Sequence, residues 1–587
     1  MSTQSQYSIP QQQSPIPPSA LSSINKTPVD RWPFLRRYNN LKSEGMKWYP
    51  AWKDLSVWQN PTRGFFFNQV PNQGFKIDHT TVIDDYARRC IRDFASGMIS
   101  GLTSPSRPWF RLGLEDQDLT QYAPVKSYLD ECQVRMHSVF ARSNIYECLH
   151  ILYEELATFG TGAMFLVEDY NNILRGRSFT VGEYFLGTGP DCRVNTFARQ
   201  YWMTVAMLVK EFGLEACSQS VRNDFAVHNT ERWVRVIHLI EENDNRIPEY
   251  KDWANMAYRS IYFEDTSMQN TYLRMEGYEE FPVLAPRWAL TTTADSYGKS
   301  AGWDTLGNVK QLQQEHREKL SALAKITDPP MQADASVQNV NTLPGGLTRS
   351  SAMTPNAGIR PAYQIQIDLS AIREDIKELR EALNDAYYRD LFKGIMDIDR
   401  TGVTATEIAE KKAEQLNLAS PLILRLTNEL GNPLISRAYS IMNRLGILPP
   451  PPREIQGQEI RIQYIGILAQ AQKMIGIASI DQWTAGVYQD AQVLGVDAAD
   501  IINVDEKNAE KADMYGVPAK IVNSPDQIAA KRQQRAQAQA AQEKVQQMAM
   551  SAEIAAKGAK AMKDAGTTPV GQGSALDKIT SMMPGGK

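Results

Sequence analysis

The sequence predicts an α+β, mainly helical protein, and three observations carry that assignment. Two long amphipathic helices of matched length, residues 303–327 and 369–394, flank an insert rich in proline and glycine. The residues before them alternate short apolar runs with helical stripes, the pattern of a mixed α+β region. The residues after them read as helix for most of their length, closing on an Ala/Gln-rich helix over 524–565.

In the first long helix Leu306, Val309, Leu312, His316, Leu320, Leu323 and Ile326 recur every three or four residues, which marks one helical face. Asp328, Pro329 and Pro330 end it, because proline cannot donate the next hydrogen bond. Ile372, Ile376, Leu379, Leu383, Tyr387 and Leu391 mark the second stripe. Each helix spans about 24 residues, or roughly 36 Å at the α-helical rise. Equal lengths joined by an insert predict an antiparallel pair, with the insert projecting from one end. The outer faces alternate Lys, Arg, Glu and Gln and form no catalytic arrangement; the pair reads as a strut.

A chain of 587 residues exceeds one core and implies roughly two to four domains. Its apolar content of 42% and charged content of 22% fit a folded soluble protein. A net charge of −4 provides no global attraction for nucleic acid, so any DNA contact must be local and loose. Five scattered cysteines, Cys90, Cys132, Cys148, Cys192 and Cys217, read as reduced thiols that are mostly small core residues. The first 28 residues are rich in Gln, Ser and Pro without an apolar run, so no signal segment is expected. No stretch approaches the length of a membrane span.

Taken in order, residues 1–29 are expected to be a disordered N-terminal arm. Residues 30–302 form the α+β region. It opens on an aromatic and basic stretch holding Trp32, Phe34, Arg36, Arg37, Tyr38, Trp48, Tyr49, Trp52 and Trp58. Such interleaving can bind single-stranded nucleic acid, but aromatics are more often core, which favours an amphipathic helix with a docking loop. Helices are expected over 80–102, 125–140, 145–159 and 204–212. Strands are expected at 109–114, 160–169, 232–241, 259–264 and 279–284, with a hairpin region over 175–191.

Residues 328–368 form the insert, with an alternating strand at Tyr363–Leu369 that needs a pairing partner. Residues 395–404 form a short acidic loop. Thr404 and Glu407 make a capping box that opens the next helix. Residues 405–452 and 453–523 are read as helical, with 460–467 and 481–494 among the helices. The 524–565 helix carries a thin apolar stripe of Ile528, Val545, Met548 and Ile554, and is marginal alone. Residues 566–587 read as a flexible tail.

Several chemistries are absent. "YGKSAG" (Tyr297–Gly302) ends like a phosphate-binding loop, but the first glycine of that motif would fall at position 293, which is Thr. Six histidines, at 79, 137, 150, 228, 238 and 316, lie far apart with no HExxH, so no metal site is expected. Gly160 and Gly162 lack the third glycine of a dinucleotide loop. The adjacent carboxylates Asp84/Asp85 and Glu154/Glu155 face different ways and read as solvated. No catalytic residue and no cofactor is expected, and the protein is read as a non-enzyme.

Four long motifs carry a resemblance. "FASGMISGLTSPSRPWFRL" (Phe94–Leu112), "GRSFTVGEYFLGTGPDCRVNTFARQYWMT" (Gly176–Thr204), "SYGKSAGWDTLGNVKQLQ" (Ser296–Gln313) and "TATEIAEK" (Thr404–Lys411) resemble the portal, or head-to-tail connector, proteins of short-tailed bacteriophages. The resemblance runs from about residue 32 to 452, with its motifs in the family's order. It implies a dodecameric ring at one capsid vertex, within the virion, assembled in the host cytoplasm. Double-stranded DNA would enter and leave through the channel without sequence readout.

The implied partners are other copies of the chain, terminase, the major capsid and scaffolding proteins, tail adaptor or nozzle proteins, and internal core proteins at the crown. Residues 303–327 and 369–394 would be stem helices and 328–368 the clip. Residues 395–404 would be the tunnel loop, the α+β region and 405–452 the wing, and the C-terminal helices the crown.

The resemblance places Asp397, Asp399, Arg400, Thr401 and Gly402 in the tunnel loop. Lys310, Arg317, Arg373, Lys377 and Arg380 are expected to supply stem-lumen charge. The competing expectation is that half or more of these cations form salt bridges between subunits. A near-neutral charge suits a bore that must not hold DNA, since each phosphate contact releases counterions and adds affinity. The alternative function is a helical scaffold or filament protein without DNA passage.

Overall fold

The computed structural model describes residues 30–66, 82–116, 119–120, 122–247, 249, 252–265, 272–333, 337, 340–341, 359–361, 369–393, 418–455, 457–458, 460–466, 480–490, 502–514, 523 and 525–567. Contacts divide the chain into two units, Met1–Ala498 and Ala499–Lys587. The arm at 1–29, the strand residues 363–368, the loop residues Asp397, Asp399, Arg400, Thr401 and Gly402, the Thr404/Glu407 capping box and the tail from 568 lie outside the described residues.

The aromatic opening stretch folds as α1 (Trp32–Met46) and α2 (Tyr49–Trp58). Phe34, Tyr38, Leu41, Trp52 and Leu55 are buried, while Trp32 stays 56% exposed. Helix α3 (Tyr86–Gly101) begins at Tyr86 rather than Thr80. The Asp84 carboxylate accepts the Tyr86 N–H at 2.7 Å. The Gln313 side-chain amide meanwhile occupies both the N–H and the C=O of Asp84, at 2.9 and 2.6 Å. Side chains therefore compete with helix at 83–85.

Next come β1 (Phe110–Leu114), α4 (Ala123–Arg142) and α5 (Ile145–Phe159), close to their sequence positions. Strands β2 (Ala163–Asp169), β3 (Ile173–Phe179), β4 (Tyr184–Thr188) and β5 (Val194–Thr204) follow. The stretch expected as one hairpin region is split. β3 pairs with β2, from Ala163↔Phe179 to Asp169↔Ile173, whereas β4 pairs with β5. The 11-residue β5 had no sequence signal, because Arg199 and Gln200 interrupt its alternation.

After β5 come α6 (Val205–Phe212), α7 (Gln219–Ala226), β6 (Trp233–Glu242), β7 (Tyr258–Glu264), β8 (Arg274–Tyr278) and β9 (Val283–Leu284). The strand expected at 279–284 is thus two pieces, mostly upstream. The antiparallel sheets have orders β4-β5-β6-β7-β8 and β3-β2-β9.

Buried Arg199 in β5 is compensated by its neighbours. Its Nε donates to His238 Nδ1 at 3.2 Å, and its guanidinium lies 4.2 Å from the Tyr201 ring centroid. Burial, reinforced by Arg199, holds His238 well below the usual histidine range, so the ring is neutral. Its Nε2–H then donates to Ser260 Oγ at 2.9 Å.

The "YGKSAG" motif is a seam. Gly160 and Gly298 stand backbone to backbone, and a β-carbon on either would lie 2.5 Å from the other's carbonyl oxygen. Gly160 also has φ +83°, which favours glycine. Thr161 Oγ1 accepts the Gly298 N–H at 2.7 Å, Ser300 Oγ donates to Thr158 O at 2.7 Å, and Tyr297 Oη accepts the Leu186 N–H at 2.9 Å. These residues join the end of α5 to the chain that enters the first long helix.

That helix is preceded by a single turn, Ala301–Asp304, and a break at Thr305; α8 then runs Leu306–Thr327. Strands β10 (Met331–Ala333) and β11 (Ile359–Pro361) pair antiparallel, and α9 (Leu369–Ala386) returns. Leu369 opens this helix, so it does not close a strand. Tyr388, with φ +52°, separates α9 from a last helical turn at 389–393.

Helix α10 (418–426) continues through a π turn, Thr427–Gly431, into α11 (Asn432–Arg444). Pro433 lacks an N–H, and the Asn432 N–H reaches back to Thr427 O, the wider π spacing. Strand β12 (Ile460–Tyr464) corrects the expectation of helix over 460–467. It pairs with β1 from Phe110↔Tyr464 to Leu114↔Ile460. Ile460, Ile462 and Tyr464 do alternate, but five residues are too few to separate strand from helix without the distant partner. Helix α12 spans 480–490.

The second unit holds α13 (Val504–Met514) and the 43-residue α14 (Pro525–Thr567). Both Arg532 terminal nitrogens contact the Asp505 carboxylate at 2.6 Å. Val545, Met548 and Ile554 of α14 are exposed.

Candidate functional site

The paired helices α8 and α9 run antiparallel, and three cross-links fix their register. Near one end, Gln59 donates to Gly302 O at 2.7 Å and accepts from Tyr387 Oη at 2.9 Å. In the middle, Asp84 Oδ2 meets Arg380 at 2.7 Å and His316 Nε2 at 3.4 Å. At the far end β10 and β11 pair. Val309, Leu312 and Gln313 of α8 and Ile376 and Leu383 of α9 are buried against the α+β body. The rest of the α8 stripe is not covered: Leu320, Leu323 and Ile326 are 55, 37 and 45% exposed. The periodicity read from sequence is therefore one stripe with two fates, because the helices extend past the body.

The junction between the pair and the body is a polar network built on α3. The Arg380 guanidinium lies 4.9 Å from the Tyr86 ring centroid, and the Arg389 guanidinium lies at the same distance. Arg389 pairs with Asp93 and donates to Tyr86 Oη at 2.7 Å. Tyr86 Oη donates to Asn384 Oδ1 at 2.9 Å. Further along, a β-carbon on Gly97 would collide with Phe392, so this glycine allows the last helical turn to lie against α3. Tyr388 is held in its left-handed conformation by stacking on Trp288 (6.4 Å, 19°) and by donating to Leu418 O at 3.3 Å. Residues 388 and 418, on either side of the 394–417 stretch, are thus tied together.

The helices that follow are anchored by two buried arginines. Arg287, 2% exposed, donates to Glu429 Oε1 at 2.7 Å and to Glu429 Oε2 through Nε at 3.2 Å; it also reaches Asp295 O at 2.6 Å and Cys192 O at 3.0 Å. Glu429 lies in the π turn. Arg437 donates to Leu166 O at 3.0 Å and Glu280 O at 3.1 Å.

The structure sorts the charged residues singled out from sequence. Lys310 pairs with Asp54 at 2.9 Å, and Arg380 pairs with Asp84, so both are drawn onto the body. Lys377 pairs with Glu381 one turn along its own helix at 3.6 Å, a surface contact of about 0–1 kcal/mol. Arg317 and Arg373 are exposed. Around them the exposed charges of α9 lean acidic: Glu374, Asp375, Glu378, Glu381 and Asp385 stand against Arg373 and Lys377.

Sequence reasoning missed Asp84 and Glu155. Each belongs to a carboxylate pair read as solvated, and each is the buried member of its pair. The signal for Asp84 was Gln313, a polar residue beside the apolar stripe that its backbone pairs with. Among the described residues no group of three or more His, Cys, Asp or Glu is placed to hold a metal.

Residues 33–522 match the family model described as bacteriophage head to tail connecting protein. The chain is 37% identical over 533 residues to a probable portal protein of Bordetella phage BPP-1, covering 90% of this chain and 95% of the relative. It is 39% identical over 538 residues to a portal protein of Salmonella phage epsilon15, covering 91% and 95%. A solved chain described as from the neck of an empty GTA particle, computed with C6 symmetry, aligns over 74% of this chain and 90% of its own at 11% identity. Its TM-score is 0.30, below the level that marks a shared fold.

Proposed function

From the premise that this chain belongs to the family of bacteriophage head to tail connecting proteins, we propose that about twelve copies close into a ring at one vertex of a phage head. Double-stranded DNA passes through the bore during packaging and ejection. The observation that carries this reading is the projecting antiparallel pair α8–α9. Its uncovered residues Leu320, Leu323 and Ile326 form an apolar row that a neighbouring copy covers in a ring.

In this reading α8 and α9 are the stem, and the segment between them is the clip, which engages terminase and then a tail adaptor or nozzle. The remaining contacts are with the major capsid and scaffolding proteins, and with internal core proteins at the crown. The protein is a structural component of the virion and performs no catalysis of its own.

The charge pattern supports a bore that lets DNA slide. A ring has no symmetry match to duplex DNA, so base readout is not needed. The acidic lean of the exposed α9 face weakens phosphate binding, since strong contacts would add affinity and hold the duplex in place. Arg317 and Arg373 remain as weak lumen cations in this arrangement. Lys310 and Arg380 serve mainly to hold the helices, and Lys377 stays exposed beside Glu381.

Negative-stain electron microscopy with mass photometry tests the reading, on the purified chain alone and with capsid and scaffolding proteins. Rings of about twelve subunits with a central hole are expected. Filaments or solid particles in both preparations would overturn it in favour of a scaffold.

Asp397, Asp399, Arg400, Thr401 and Gly402 are assigned to a loop that faces DNA. Arg400→Glu places a repelling charge beside phosphate in every subunit. Rings should assemble normally, and the fraction of heads that retain DNA should fall several-fold. Normal packaging and retention in that variant would sink the loop assignment.

A further inference from the structure

Helix α1 exposes a niche of about 310 Å³ that is open to solvent and lined by Asp30, Trp32, Pro33, Arg36, Arg37 and Asn40. Trp32, Arg36 and Asn40 follow one another at four-residue spacing, so they line one helical row, with Pro33 and Arg37 beside it. The Trp32 indole is 56% exposed. Here it is joined by three side chains that donate hydrogen bonds, and none of the three has an acceptor among the described residues. The niche thus offers an aromatic plate and a row of donors. Its single carboxylate, Asp30, accepts the Trp32 N–H at 3.2 Å.

That combination fits an extended, proline-rich peptide. Such a segment forms a polyproline II helix whose ring faces stack on aromatic side chains. Its carbonyls make no internal hydrogen bonds and are free to accept from Trp, Arg and Asn. The chain carries one such segment close by: Pro15, Ile16, Pro17 and Pro18, a short way before Asp30. We propose that this Pro15–Pro18 segment docks in the α1 niche of its own chain, with a proline against the Trp32 indole and backbone carbonyls on Arg36, Arg37 and Asn40.

The tether makes a weak contact sufficient. About 12 residues separate the segment from the niche, a root-mean-square reach of roughly 20 Å. The local concentration is then on the order of millimolar, so even millimolar intrinsic affinity populates the docked form. The effect is to fold the N-terminal arm against α1 rather than leave it extended toward other surfaces. This inference does not depend on the channel reading.

The test uses the full chain with Ile16→p-benzoylphenylalanine, photo-crosslinked and mapped by mass spectrometry. Crosslinks should fall within residues 30–42. The Trp32→Ala variant, which removes an exposed side chain and spares the core, should lower their yield about tenfold, the equivalent of roughly 1.4 kcal/mol. Pro15→Ala combined with Pro17→Ala and Pro18→Ala, in the same crosslinking background, should act in the same direction.

Crosslinks mapping elsewhere, or a yield unchanged by Trp32→Ala, would overturn the docking and leave the niche to another occupant. In mixtures of isotopically light and heavy chains, crosslinks joining light to heavy would overturn the same-chain form.

Discussion

Arg287→Ala should lower the stability of the first unit by about 3–5 kcal/mol, the usual cost of removing one partner from a buried ion pair. Arg287 is 2% exposed and neutralises Glu429 through two nitrogens. Its other bonds satisfy Asp295 O and Cys192 O. Alanine would take these donors from both carbonyls and from the Glu429 carboxylate, which is 17% exposed and would keep, among the described residues, only the residue-287 N–H at 2.9 Å. The π turn holding Glu429 should loosen first, because its irregular spacing has no regular helical ladder to fall back on.

Thermal unfolding should show a clear drop in midpoint, and hydrogen exchange should rise at 427–431. The double variant Arg287→Ala/Glu429→Ala should cost less than the sum of the two single changes, since it removes the stranded charge. A single variant within about 1 kcal/mol of the parent would show that this pair does not anchor α10 and α11.

The second large effect is a pH dependence at Glu155. This carboxyl is fully buried, and burial pushes it up to about 8, with Arg63 only partly offsetting the shift. Arg63 Nε stands 3.9 Å from Glu155 Oε1, while Arg63 Nη2 pairs with Glu154 at 2.6 Å. The Val181 N–H donates to Glu155 Oε2 at 3.3 Å, whereas Oε1 has no hydrogen bond among the described residues. Glu183, itself held above the usual carboxylate range by burial, adds like charge.

The folded state therefore keeps a proton that the unfolded chain releases near 4.5. Folding stability from this group is full below 4.5 and is lost as pH rises toward 8, at up to about 1.4 kcal/mol per pH unit. Buried His137, held down at about 4, acts in the opposite direction: its contribution is lost as pH falls below 6.5. Glu155→Gln mimics the neutral form. Between pH 5.5 and 8 the parent should lose several degrees more of melting temperature than this variant. Parallel losses in both proteins would show that Glu155 is already ionised at neutral pH.

Much of the fold was legible because the signals involved are local. The stripe of α5 ends at Gly160, and the spacing of Leu306, Val309 and Leu312 marks α8 without reference to any other residue. The misreadings share one cause. β12 looked helical because its pairing partner β1 lies far upstream. The stretch 175–191 looked like one hairpin region because nothing in it shows that its two strands enter different sheets. β5 was invisible because Arg199 breaks its alternation, and that arginine is tolerated only where His238, Tyr201 and Phe179 surround it.

The candidate site divides in the same way. The sequence by itself determined that two long helices flank an insert, and it carried the family likeness, both of which rest on residue order and short-range periodicity; their unequal lengths, 22 and 18 residues, it did not. Only the tertiary structure decided which charges are spent on holding the helices. Lys310 and Arg380 looked equivalent to Arg317 and Arg373 as cations on amphipathic helices. Asp54 and Asp84, hundreds of residues away in the chain, pair with the first two and leave the others exposed. Likewise Asp84 and Glu155 differ from Asp85 and Glu154 only in which way one residue's rotation around a helix or turn points them. A side chain's burial and ionisation are set by what packs against it, and that partner is chosen by the fold rather than by neighbours in sequence.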